Sequence, residues 1–260
     1  MSELLKNKVV VVSGVGPGLG RALALGAARA GADVVLAART VSVLEETATA
    51  VEETGRRALA VPTDITDEAA VEALVKTTVD TFGRVDGLVN NAFAVPPMTP
   101  LADVAIDDIR SGFETNVYAA LRLTRLFAPA LAEAKGSVVM INSVAIRHSK
   151  PLFGTYKMAK ASLLALAQSL SSELGPQGVR VNTVAPGYIW APALQGYFAY
   201  LAGERGVPEQ QVYDEVAAGL DLRRLPEPQE IADSVLFLLS DLSRAVTGQC
   251  LDVNGGEFHH

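Results

Sequence analysis

Tyr156 and Lys160 stand four positions apart in "FGTYKMAKASLLALAQSL", and Ser143 precedes them in "INSVAIRHS". An i, i+4 spacing puts the phenol and the ammonium on one face of a helix. A phenol with a reference pKa of about 10 is a poor base at neutral pH. An ammonium one turn away favours phenolate and is expected to lower that pKa. The pair could then exchange a proton with an oxygen, and a serine at a strand end could hydrogen-bond the same oxygen as charge develops. Each residue also has a plainer reading, with Tyr156 and Lys160 as a solvated helix face and Ser143 as a turn residue. A tyrosine and a lysine at this spacing also arise by chance, so context decides.

The context begins with "SGVGPGLG" at residues 13–20, after "VVVV" and before "RALALGAARAGA". The G-x-G-x-x-G fingerprint fails in every register, because Gly14 and Gly16 would need a glycine where Leu19 stands. The spacing present is G-x-x-x-G-x-G, from Gly14, Gly18 and Gly20. A glycine loop between a buried strand and a helix aims backbone N–H groups and the positive helix end at a pyrophosphate. The alternative is a simple strand-to-helix turn.

The elements that position these residues follow from hydrophobic rhythm. Apolar runs at 9–13, 33–38, 57–62, 87–92, 136–143, 179–186 and 249–254 alternate with helix-length amphipathic stretches. Uninterrupted apolar strands separated by helices predict an α/β fold, a doubly wound Rossmann-type parallel sheet of seven strands with helices on both faces. The 260 residues suit one domain over 1–260, with no interior linker and no repeat. Residues 187–228 break the rhythm, and a segment that long without a strand is usually functional. It reads as a lid over the carboxyl ends of the strands, with glycines 196, 203, 206 and 219 as hinges, or else as an oligomer-facing insertion.

Composition excludes other classes. Hydrophobic residues are 49% and charged residues 20%, with no charge-free apolar run of the roughly 18 residues a membrane span needs. The net charge of -7 comes without a basic cluster, which argues against nucleic acid. One cysteine, Cys250, cannot form an internal disulfide, and "MSELLKNK" lacks the apolar region of a signal peptide, so the cytoplasm is expected. Cys250 reads as a small buried hydrophobe rather than a catalytic thiol. No metal-ligand set is assigned.

Taken in order, the glycine octet, Asp64 in "PTDITD", "NNA" at 90–92, Asn116 in "ETNVYA", Ser143, Tyr156, Lys160, "PG" at 186–187 and "TGQCLDVNGG" resemble the short-chain dehydrogenase/reductase family in its compact single-domain form. The resemblance covers nearly the whole chain. It implies an NAD(P)-dependent oxidoreductase that interconverts a secondary alcohol and a ketone, with Asn116, Ser143, Tyr156 and Lys160 as a catalytic tetrad. In it Asn116 lies in a helix interruption and positions a water linking Lys160 to solvent. The cofactor contacts implied are Gly14, Gly16, Gly18, Leu19, Gly20, Arg39, Asp64, Ile65, Asn91, Ala92, Tyr156, Lys160, Pro186, Gly187 and Ile189. Asp64 would accept from the adenine amino group, or alternatively cap the next helix, a task Thr66 can take instead.

Cofactor choice is read at the end of the second strand, "VVLAART", where an acid would bind the adenosine ribose 2′-OH. Ala38 and Arg39 stand there, and a guanidinium suits a 2′-phosphate, so NADP(H) is favoured and NAD(H) remains possible. Three departures from the family pattern stand out: Phe93 replaces the glycine of "NNAG", Ala191 after Trp190 replaces a threonine that holds the nicotinamide carboxamide, and Ser13 replaces a commoner threonine. Without that threonine, the backbone at Ile189 would hold the carboxamide. Phe93, Arg147, Trp190, Tyr197 and Phe198 are the candidate substrate contacts, suggesting an apolar alcohol or ketone, although packing explains such aromatics equally well. Arg147, His148, Lys150, Arg223 and Arg224 keep open a reductase of acyl groups on a carrier protein, and a non-catalytic dinucleotide sensor is a further alternative. Apolar and small residues on several faces of the two long helices around Asn116 and Tyr156 predict a homo-oligomer, a tetramer or a dimer.

Overall fold

Seven short runs rich in β-branched and small apolar residues form β1 (Val9–Ser13), β2 (Asp33–Ala38), β3 (Ala58–Pro62), β4 (Gly87–Asn90), β5 (Ser137–Ile141), β6 (Arg180–Pro186) and β7 (Cys250–Val253). In the computed structural model, which describes residues 3–259, they pair into one parallel sheet in the order β3-β2-β1-β4-β5-β6-β7. Strands β4 and β5 end at Asn90 and Ile141, before residues 92 and 143. The cause is visible: the Asn91 N–H turns to the Ser13 hydroxyl and the Ser143 N–H to the Asn142 side chain, so both leave the ladder.

The helices are α1 (Leu19–Arg29), α2 (Val41–Glu52), α3 (Glu68–Phe82), α4 (Ile106–Phe113), α5 (Ala119–Ala134), α6 (Gly154–Leu174), α7 (Pro192–Arg205), α8 (Glu209–Ala217) and α9 (Pro228–Leu239). Side chains of a strand point alternately to its two faces. Val10 and Val12 therefore meet α1, α2 and α9 on one side, while Val9 and Val11 meet α3, α5 and α6 on the other. In β1 every residue is buried, which is why this strand carries no polar alternation. The chain runs outward from β1 to β2 and β3 and then crosses back to β4 on the other side of β1, so a crevice opens at the carboxyl ends where the direction reverses.

The helical stretch from Ile106 to Ala134 is interrupted by a wide π-turn over Glu114–Tyr118, which carries Asn116, as the resemblance implies. Two local expectations are corrected. The cap of α3 is Asp67, whose carboxylate accepts from the Ala69 N–H at 3.0 Å, and not Thr66. Gly196 and Gly203 lie inside α7 and are not hinges; the break falls at Gly206, whose φ of 63° ends that helix. Helices α7 and α8 share a small core of Phe198, Ala202, Val212, Ala217 and Leu225, with Trp190 and Tyr213 against it. Among the described residues no helix is long and apolar enough to cross a membrane.

Candidate active site

The crevice holds a cavity of about 540 Å³, within the range of small-molecule sites. The glycine loop forms its floor. Gly14 has φ 76°, and a Cβ there would stand 2.4 Å from Ala92 Cα, so only glycine lets the loop meet the strand β4 exit this closely. The Asn91 side chain secures the approach by donating to the Gly14 carbonyl at 2.8 Å. Gly16 faces open space, and α1 begins at Leu19 and Gly20 with its N-terminus directed at the loop. This cradle fits a dinucleotide pyrophosphate.

One end of the cavity is walled by Ala38 and Arg39 on one side and Asp64 and Ile65 on another. Arg39 is exposed. Asp64 accepts from the Thr66 N–H at 2.9 Å and its hydroxyl at 2.7 Å, and these bonds, helped by the charge of Arg39, hold its carboxyl below the usual range. Ser111, Glu114 and Thr115 close the third side, and the sequence reading missed them. They belong to a helix far along the chain, so no local motif announces them.

The reacting groups gather where β5 and β6 end. Ser143 follows β5, and its hydroxyl accepts from the Ala145 N–H at 3.2 Å, which fixes the turn. Tyr156 and Lys160 lie on α6, with the Lys160 ammonium 5.7 Å from the centre of the Tyr156 ring. Lys160 is 2% exposed and donates to the Ile141 carbonyl at 3.0 Å. Burial without a carboxylate partner lowers its pKa to about 7. Burial also pushes the Tyr156 phenol up to about 12, against a smaller downward pull from its hydrogen bond with Ser143. The lowered phenol pKa is expected with the positive nicotinamide of the oxidised cofactor beside the ammonium, and in the chain by itself burial outweighs the other influences on Tyr156. Asn116 donates to the carbonyls of Ala94 at 2.8 Å and Gly112 at 2.9 Å, while its buried Oδ1 has no partner, as a site for an ordered water requires.

A family profile described as enoyl-(acyl carrier protein) reductase matches residues 14–257. The 7alpha-hydroxysteroid dehydrogenase of Escherichia coli is 32% identical over 253 residues, covering 97% of this chain and 94% of that protein. The chain belongs to the short-chain dehydrogenase/reductase family. A solved 7alpha-hydroxysteroid dehydrogenase complexed with NADH and 7-oxo glycochenodeoxycholic acid superposes with a TM-score of 0.88 at 31% identity, covering 98% of this chain and 96% of that one. The L-sorbose reductase of Gluconobacter frateurii, complexed with NADPH and L-sorbose, gives a TM-score of 0.93 at 30% identity, with 100% of both chains covered. The protein is thus an NAD(P)-dependent short-chain dehydrogenase or reductase on the Rossmann-type sheet its motifs imply.

Against the family pattern, Phe93 turns out to be harmless to the backbone, because its φ lies outside the left-handed region. Its ring is 59% exposed, borders the cavity and stands 5.9 Å from the Lys160 ammonium. Pro186 is buried, and a Cβ on Gly187 would fall 2.7 Å from Oε2 of Glu257, the movable end of a half-buried carboxyl raised by desolvation that the sequence reading did not single out. Ile189 packs on the core, and its carbonyl accepts from the Ala191 N–H at 2.7 Å. Ala191 itself touches the glycine loop, 3.0 Å from where a Gly18 Cβ would be.

Three of the candidate substrate contacts have other partners in the structure. Arg147 is committed to Asp252 through Nε and Nη2, each at 3.0 Å, and ties the Ser143 turn to β7 instead of facing a substrate. Phe198 is 1% exposed and packs with Trp190 at 5.5 Å between ring centres, so these two build the α7–α8 core. Tyr197 is 53% exposed and free to face a ligand. Cys250 is partly buried, and desolvation pushes its thiol up to about 11, which leaves it inert as a nucleophile.

Proposed function

We propose that the protein interconverts a secondary alcohol and its ketone, with NADP(H) favoured and Tyr156 as general acid and base. The observation that carries this reading is a desolvated Tyr156 phenol with the buried Lys160 ammonium one helical turn away. The bound nicotinamide supplies or accepts the hydride. The chain's own groups handle the oxygen. Ser143 hydrogen-bonds it and Tyr156 gives it a proton in reduction or takes one in oxidation. A phenol at about 12 keeps its proton, which suits the acid role. The base role needs positive charge brought close, and Lys160 supplies it in the ammonium form. The partnerless Oδ1 of Asn116 provides an acceptor for a water that would return protons to Lys160 from solvent.

The preference for NADP(H) rests on Arg39, exposed at the cavity rim with Ala38 where an acid would repel a 2′-phosphate. Phe93 and Tyr197 are the proposed aromatic substrate contacts, and exposed Val95, Met98 and Leu101 continue an apolar approach. Exposed Tyr118, Leu121 and Met158, on the π-turn, α5 and α6, support self-association. The carrier-protein reading weakens, because Arg147, Lys150 and Arg224 are paired with Asp252, Glu257 and Glu230. The test is to follow the nicotinamide absorbance of NADPH and NADH with a panel of ketones, and of the oxidised forms with alcohols. Ketone-dependent oxidation of NADPH is expected. Tight cofactor binding with no turnover of any ketone or alcohol would overturn the reading.

A further inference from the structure

The cofactor cavity has two walls at its adenosine end that come from distant parts of the chain. One is the loop Asp64–Ile65 after β3; the other is Ser111, Glu114 and Thr115, where α4 runs into the π-turn. No strand pairing joins them. One side chain does. Arg122, on α5 and 17% exposed, donates from Nη1 to the Ile65 carbonyl at 3.0 Å and from Nη2 to the Glu114 carboxylate at 3.0 Å.

The π-turn is what makes this reach possible. An α-helix turns about 100° per residue, so Glu114 and Arg122 would lie roughly 80° apart around an unbroken helix. A wide turn absorbs one residue without advancing the face, which reduces the offset to roughly 20°. The same local widening that carries Asn116 thus brings Glu114 and Arg122 onto one side of the helix, opposite Ile65. The geometry points to Arg122 as a positioning residue of the cofactor site: its two hydrogen bonds hold the walls of the adenosine end at a fixed spacing and so set affinity for the adenosine half of the dinucleotide. This rests on the reading of the cavity as a dinucleotide site.

Neighbouring Arg125 provides the control, because it bonds only the exposed Glu68 at 2.8 Å and touches neither wall. Calorimetric titration of wild type, Arg122→Met, Arg122→Lys and Arg125→Met with NADPH and with adenosine 2′,5′-bisphosphate tests the assignment. Arg122→Met is expected to raise both dissociation constants by the same factor, about tenfold, the loss of a charged hydrogen bond. Arg122→Lys, which can reach one acceptor at a time, should recover part of it, and Arg125→Met should match wild type. In steady state the Arg122→Met effect should fall on KM for the cofactor, with kcat at saturation reduced less than about twofold. Should Arg122→Met fail to fold, Glu114→Gln is expected to raise the same two constants by about threefold. Unchanged binding of the fragment by a folded variant, or a loss for NADPH that the fragment does not share, would overturn the role of Arg122. A wild type that binds neither ligand nor NADH would overturn the dinucleotide reading itself, and the role with it.

Discussion

The rim of the sheet and the α7–α8 segment both lie at the carboxyl ends of the strands, yet they are built on opposite plans. The rim is assembled from strand exits: Gly14, Asn91, Ser143 and Gly187 each stand just past a strand end, and backbone contacts lock them. Helices α7 and α8 pair with no strand and carry their own core around Phe198. Position at the rim is therefore inherited from the sheet register, whereas position in the α7–α8 segment depends on packing between two short helices.

The largest effect expected from breaking the rim comes from Lys160→Met. Turnover should fall by about 10²-fold or more, since the phenolate loses its positive neighbour. Stability should move the other way. The Lys160 pKa is about 7 in the folded chain against 10.5 for the ordinary group, so between these values the unfolded chain binds the extra proton and wild-type stability rises with pH. The methionine variant lacks this dependence. It should be more stable than wild type below about pH 7, on the order of a few kcal/mol, with the gain fading towards pH 10. Urea unfolding of both proteins across that range checks it; a gain that grew with pH would mean the lysine is stabilised in its charged form.

The α7–α8 core is broken next by Phe198→Ala, which empties a fully buried site and should cost about 3–5 kcal/mol there. Hydrogen exchange should then accelerate through α7 and α8 and stay slow in β1, β4 and β5. Equal acceleration in the sheet would show that the two regions unfold as one. A smaller change sharpens the rim alone: Arg39→Ala should weaken NADPH by about 1.5–3 kcal/mol and NADH far less. Titration of both cofactors decides it, and equal losses would remove Arg39 from any contact with a 2′-phosphate.

The same contrast explains what was legible beforehand. Strands announce themselves because an apolar run that is buried on both faces cannot be polar anywhere, and the runs at 9–13 and 33–38 coincide with β1 and β2 to the residue. The order of motifs along them carried the family. Side-chain partnerships were illegible: that Arg147 is neutralised by Asp252 and that Arg122 spans Ile65 and Glu114 depends on elements brought together only by folding. The α7–α8 segment failed for a related reason. Its aromatics read as pocket lining when local composition is weighed alone, yet Trp190, Phe198 and Tyr213 find one another across a turn at Gly206. Glycines inside α7 likewise cost helix propensity without breaking the helix, because tertiary packing outweighs about 1 kcal/mol per residue.

In the proposed mechanism the Tyr156 hydroxyl moves the proton while the rest of the rim binds the cofactor, and Tyr156→Phe isolates that one atom. Single-turnover reduction of a ketone by bound NADPH, measured alongside NADPH titration, is the direct test. The account predicts a rate reduced by about 10²–10⁴-fold with cofactor affinity within about twofold of wild type. A variant that retains more than about a tenth of the wild-type rate would contradict it, since no general acid of this kind contributes so little.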